Sequence, residues 1–209
     1  MITCFLAHIA QGTLMSQLLT TSSIAPWGKR VLALIDACID QAGNIDPAAA
    51  CEQLAQTVRW ADSPRAPKCL PDAEAMPYRR IALSDGRHRS YEALVIAWPP
   101  RHVTPIHDHD GLWGLEFILD GALQVDAFHV SENPAISLES IDTTVAGIGD
   151  HVLFTQAGYA HRCRNLSRNS MALSLHVYGG ELNSYRSFHH EPDRWLSRLH
   201  TTVRETSEI

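Results

Sequence analysis

The period of the hydrophobic positions changes partway along the chain. Up to about residue 60 the apolar residues recur at helical spacing. After Tyr78 they fall into short β-favouring runs separated by turn residues. Between Gly28 and Gly43, the residues Val31, Leu32, Leu34, Ile35, Cys38 and Ile39 share one helical face, which predicts an amphipathic helix after an irregular Thr20–Trp27 stretch. Asp46-Pro47 offers an N-cap followed by proline at the first helical position, so a second helix is expected over Ala48–Trp60. Pro64, Pro67, Pro71 and Pro77 then mark a connector. Beyond it, Glu92–Trp98, Gly114–Leu119, Leu123–Val130, His151–Thr155 and Met171–Tyr178 read as strands, with turns at Asp120-Gly121 and Gly147–Asp150. The polar tail from Pro192 to Ile209 reads as one terminal helix with Trp195 and Leu196 docking. The expectation is a mainly β sandwich or barrel with N-terminal α-helices. Residues 1–77 would form a helical segment packed on a barrel and tail of residues 78–209, one structural domain overall.

Length and charge narrow the partners. A chain of 209 residues fits one domain, and 17 Lys+Arg against 23 Asp+Glu leave a formal charge of −6. Such a surface gains no counterion-release attraction, which argues against nucleic acid or an anionic membrane as partner. No apolar run approaches the roughly 20 residues of a membrane span. The opening Met1–Leu14 lacks a basic lead, so it reads as a loose start, with Met15 a candidate initiator. Five cysteines without a CxxC pair suit a reducing compartment, and the cytoplasm is the expected location.

The twelve histidines carry the candidate chemistry. In Pro105-Ile106-His107-Asp108-His109-Asp110-Gly111, two of them stand at i and i+2, and on a strand both would point to one face. Two imidazoles on a rigid ladder can share a metal; His161, in Gly158-Tyr159-Ala160-His161, is the best candidate for a third ligand. Alone, HxH is equally a pair of polar residues on a solvated face. His8, His88, His102, His129, His151, His189, His190 and His200 are expected on the surface or in loops.

Gly121, Gly147 and the run His161-Arg162-Cys163-Arg164-Asn165 complete two blocks that resemble the signature of the cupin superfamily, which implies a double-stranded β-helix, or jelly-roll, barrel. Gly114 stands where many cupins place a glutamate ligand; Glu116 has the same strand parity but the wrong register for that role. A three-histidine cupin without the glutamate resembles the thiol dioxygenases, the cysteine dioxygenase family. The strand Ser174-Leu175-His176-Val177-Tyr178 strengthens the match, because it resembles that family's Ser-His-Tyr relay. The resemblance covers roughly Tyr78 to Arg186. It implies Fe(II) held by His107, His109 and His161, with Ser174, His176 and Tyr178 as catalytic residues. It also implies that Arg80 grips a substrate carboxylate, and that Arg186, placed as in bacterial mercapto-acid dioxygenases, assists. Since Gly114 replaces the cysteine that cross-links to the relay tyrosine in mammalian members, Tyr178 should be unmodified.

The implied reaction joins a small carboxylate-bearing thiol and O2 to give the sulfinate. Two arginines would suit a dicarboxylate such as mercaptosuccinate; one would suit cysteine or 3-mercaptopropionate. Trp98 and Trp113 would help keep such a pocket dry. Two other readings use the same histidines: a three-histidine zinc hydratase or hydrolase, and a cupin that binds a small molecule or senses a metal without turnover. Neither needs the relay strand. The oligomeric state is left open.

Overall fold

A computed structural model describes residues 21–57, 63–65 and 77–208. Met1–Leu14, Met15, Cys4, Cys69, Pro67, Pro71 and the last residues of the expected second helix lie outside the described residues. Among the described residues two helices, α1 (Thr21–Asp36) and α2 (Pro47–Thr57), precede twelve strands. α2 starts as expected: Asp46 Oδ1 accepts the amides of Ala48 and Ala49 at 2.9 and 3.3 Å, and Pro47 takes the first turn. α1 corrects the expectation, since it begins before Gly28 and runs through Pro26. Burying Ile24 and Trp27 in one stripe with Val31 and Ile35 offsets the helical hydrogen bond that proline cannot make.

The strands are β1 (Arg79–Ser84), β2 (Glu92–Trp98), β3 (Ile106–His107), β4 (Gly114–Asp120), β5 (Ala122–Ser131), β6 (Ser137–Gly147), β7 (His151–Phe154), β8 (Tyr159–Asn165), β9 (Ala172–Tyr178), β10 (Ser184–Glu191), β11 (Arg194–Thr201) and β12 (Glu205–Glu208). They form two six-stranded sheets, ordered β12-β1-β2-β9-β4-β7 and β11-β10-β3-β8-β5-β6. Every pairing is antiparallel except β1 with β12. Side chains of both sheets meet in one interior: Leu94, Ile96, Trp98 and Ile118 from the first, Leu123, Val125 and Cys163 from the second. This is the cupin barrel.

The first sheet is covered on both faces, which explains why β2, β4 and β9 are buried almost end to end. Residues of one parity, such as Val95, Leu115, Phe117, Leu173 and Leu175, pack against Ile24, Trp27, Val31 and Leu54 of the helices. The opposite parity, including Gly114, Glu116, Ser174, His176 and Tyr178, faces the second sheet. Arg89 fastens α1 to the loop before β2, with Nε 2.9 Å from Asp36 and Nη1 2.6 Å from Asp85, while the Tyr91 hydroxyl reaches Asp36 at 2.8 Å.

The tail is the second correction. β11 returns against β10 from Arg194 to Thr201, through the two-residue turn Pro192-Asp193, and no helix forms there. Its polarity reflects a solvated strand face, and pairing with β10 supplies the backbone partners a helix would have made internally. Among the described residues no helix is long and apolar enough to cross a membrane.

Candidate metal centre

The HxH segment is only half strand. His107 ends β3, paired directly with His161 of β8, while His109 lies past the strand in a loop. Asp110 and Gly111 follow with φ of 54° and 79°, a left-handed turn that aspartate and glycine tolerate and that carries the chain away after His109. Ring centroids are 5.4 Å apart for His107 and His109, 4.7 Å for His107 and His161, and 4.8 Å for His109 and His161.

One nitrogen of each ring lies within 4.8 Å of the others. Burial holds His109 and His161 well below the ordinary histidine range and lowers His107 as well, so all three offer neutral lone pairs. His107 Nδ1 lies 3.0 Å from the Pro105 carbonyl, to which its proton is donated, leaving Nε2 free. Nε2 of His109 is buried with no hydrogen-bond partner. An orphaned imidazole nitrogen converging with two others is what a bound divalent metal would satisfy, so the three residues fit one.

The usual carboxylate position is closed. A Cβ at Gly114 would lie 2.1 Å from the Phe154 ring, which packs 4.8 Å from His109 and 5.0 Å from His161 between centroids. Phenylalanine thus fills the volume from which a fourth ligand would approach.

On β9, Ser174, His176 and Tyr178 share the interior face and are hydrogen-bonded in series. Ser174 Oγ is 2.8 Å from His176 Nε2, and His176 Nδ1 is 3.1 Å from the Tyr178 hydroxyl. The chain begins one residue earlier than sequence indicated: Trp98 Nε1 donates to Ser174 Oγ at 2.7 Å. That bond leaves the serine proton to His176 Nε2, the His176 proton to the tyrosine oxygen, and the phenol proton directed onward. Burial keeps the phenol protonated by raising its pKa, and lowers His176 to about 3, so the imidazole is neutral.

A cavity of about 240 Å³ opens beside these groups, lined among others by Arg80, Trp98, His107, His161, His176 and Tyr178. No acidic side chain lines it, and Arg80 forms no ion pair among the described residues. Glu92, which senses the Arg80 charge, is held by Arg204 at 2.8 Å. Three further wall residues, Tyr78, His102 and Tyr185, escaped sequence reasoning. His102 stacks on Tyr78 at 4.6 Å, and Tyr185 stacks on His200 at 4.9 Å. A loop histidine carries no sequence signal for such a place.

Arg186 is placed elsewhere. Its Nε donates to Asp108 Oδ2 at 2.8 Å, its amide to Asp108 Oδ1 at 2.7 Å, and its guanidinium also contacts Glu132. It borders a second cavity of about 250 Å³, with His109, Trp113 and Phe154, and does not line the Arg80 cavity. Two carboxylates already occupy Arg186, which braces the residue between His107 and His109 and is not brought to the cavity that Arg80 lines.

Glu116 is the group whose placement was least expected. It is fully buried, directly opposite His176 across β4 and β9, and burial raises its carboxyl to about 8. Cys163 is a free, buried thiol beside it, as Cys38 and Cys51 are free elsewhere.

Comparison with known proteins adds the family. A family model described as cysteine dioxygenase type I matches residues 71–191. Among solved structures, the chain resembles protein TT1209 of Thermus thermophilus, with 21% identity over 54% of this chain and 89% of that one, TM-score 0.38. It is similar at 17% identity to hydroquinone 1,2-dioxygenase of Sphingomonas sp. TTNP3, over 53% of this chain and 71% of that one, TM-score 0.40. An oxalate oxidase matches at 17% identity over 46% of this chain, TM-score 0.37, and the chain spans 45% of that protein's length.

Proposed function

Since the chain belongs to the cysteine dioxygenase type I family, we propose that it is a non-haem Fe(II)-dependent thiol dioxygenase. It would convert a small thiol bearing one carboxylate, together with O2, to the sulfinate. One observation carries this reading: His107 and His161 of the histidine cluster, the Tyr178 end of the relay and Arg80, which forms no ion pair among the described residues, face a single cavity.

His107, His109 and His161 would hold the iron. When bound, the metal supplies redox chemistry and open coordination positions at which sulfur and oxygen can meet. The chain's own groups do the rest. Arg80 holds the carboxylate by charge-assisted hydrogen bonds, undiminished by any acidic neighbour in the wall. Tyr178 donates its phenol proton toward the reacting atoms, oriented by the series Trp98, Ser174 and His176 behind it. Ile96 and Leu182, both buried, exclude water around the thiol. With Arg186 engaged by Asp108 and Glu132, cysteine or 3-mercaptopropionate suits the cavity better than mercaptosuccinate. Free buried thiols accord with a reducing, cytoplasmic setting.

The test is O2 consumption by the Fe(II)-loaded protein with cysteine, 3-mercaptopropionate and mercaptosuccinate in parallel. Stoichiometric uptake with sulfinate formed from a monocarboxylate thiol is expected. No uptake with any of the three, or activity only with zinc and a hydrolysable substrate, would overturn the reading.

A further inference from the structure

Beneath the histidine cluster lies a polar group that the proposed reaction does not use. Glu116 is fully buried in the barrel interior, and its Oε1 makes no hydrogen bond. A leucine there would fill the space without the cost of desolvating a carboxyl. The placement of its two oxygens gives a reason for the polar group. Oε2 lies 3.8 Å from Cys163 Sγ, and Cys163 Sγ lies 3.8 Å from His161 Nδ1. Oε1 lies 3.5 Å from His176 Nε2, across the direct pairing of Glu116 with His176.

We propose that Glu116 and Cys163 form a positioning pair for the histidine centre: Cys163 fixes the outer nitrogen of His161, and Glu116 anchors Cys163 while abutting the relay at His176. The proton directions agree from His161 to Glu116: with His161 Nε2 turned to the centre, its Nδ1–H donates to Cys163 Sγ and the thiol S–H donates to Glu116 Oε2, while Oε1 only abuts His176 Nε2, whose lone pair accepts from Ser174. The outer partner of a ligand histidine fixes its ring orientation and basicity. Here that partner is a thiol, itself held by an acid from the neighbouring sheet. The pair therefore joins His161 on β8 to the proton-carrying strand β9 through β4, so the two halves of the site keep one geometry.

This inference rests on reading the three histidines as a metal centre, and its test needs no thiol oxidation. Co(II) serves as the probe, with affinity and visible absorption measured for the wild type, Glu116→Leu, Glu116→Gln, Cys163→Ala and the double variant Glu116→Leu/Cys163→Ala. Losing an outer partner should weaken Co(II) binding about tenfold. Glu116→Leu and Cys163→Ala should each show that loss and a shifted absorption band at full occupancy. Glu116→Gln, which keeps a donor and an acceptor, should restore both. Because the two residues act in series, the double variant should be no weaker than either single one. Should Glu116→Leu fail to fold, Cys163→Ala against Glu116→Gln decides by the same readouts. Unchanged affinity and absorption in the variants, losses that simply add, or glutamine no better than leucine would overturn the pair. A wild-type protein that binds no Co(II) would overturn both this inference and the metal reading; tight wild-type binding with unaffected variants would overturn this inference alone.

Discussion

Arg80 and Arg186 each stand beside a cavity of about 240–250 Å³ that the histidine cluster borders, the first with His107 and His161 and the second with His109, yet they have different electrostatic lives. Arg80 faces a wall without acids, so its charge is available to a ligand. Arg186 is neutralised by Asp108 and Glu132, and its hydrogen bonds hold the HxH segment in place. Under the proposed function the same side chain would recognise a ligand in one place, while in the other it braces a loop. What separates them is the partners already present, since a guanidinium held by two carboxylates has little left for a substrate carboxylate.

Variants can break or sharpen that contrast. The largest effect should come from the histidine cluster between the two arginines: His161→Ala should lower Fe(II) affinity more than about 100-fold, beyond the usual loss for an outer partner, and abolish thiol-dependent O2 uptake. Metal analysis and an oxygen electrode check this. Next, Tyr178→Phe should reduce kcat by about 100-fold, in the range for a positioned proton donor. Its iron content should not change, and a variant with full turnover would remove the phenol from the chemistry. Arg80→Gln should raise KM for 3-mercaptopropionate by about 10–100-fold, the loss of charged hydrogen bonds worth roughly 1.5–3 kcal/mol. The smallest change is expected for Arg186→Gln. KM should stay within about threefold, while a partly exposed ion pair worth about 1 kcal/mol is lost and Tm falls by roughly 2–4 °C. If Arg186→Gln raised KM as much as Arg80→Gln, the contrast between the two arginines would collapse.

Much of this was legible in the sequence wherever local pattern decides. β2 matches its expected bounds because both of its faces are buried and its apolar run is uninterrupted. The relay residues share a face because strand parity requires it, and the His107–Asp108–His109 spacing with His161 identified the histidines that the barrel gathers. Distant pairing stayed hidden. Asp108 and Glu132 lie 78 and 54 residues from Arg186, so nothing near Arg186 in the sequence announces that it is occupied. Parity put Glu116 on the inner face, but only the register of β4 against β9 sets it level with His176. The tail read as a helix because its partner β10 precedes it by a turn that local propensity weighs lightly. Thr20–Trp27 read as irregular because the burial of Ile24 and Trp27 that offsets Pro26 is a tertiary effect.

The parallel pairing of β1 with β12 bears on how the protein is made. β1 carries Arg80, and its outer edge is covered by Glu205–Glu208, with Arg79 donating to Glu205 at 2.9 Å. During synthesis that edge stays bare until more than a hundred further residues have emerged, so the strand carrying Arg80 is completed late and by a contact of very long loop closure. A nascent or truncated chain ending before Glu205 would expose a strand edge beside the ligand cavity, where self-association is most easily templated. Translation through Glu208 therefore guards solubility as well as finishing the site.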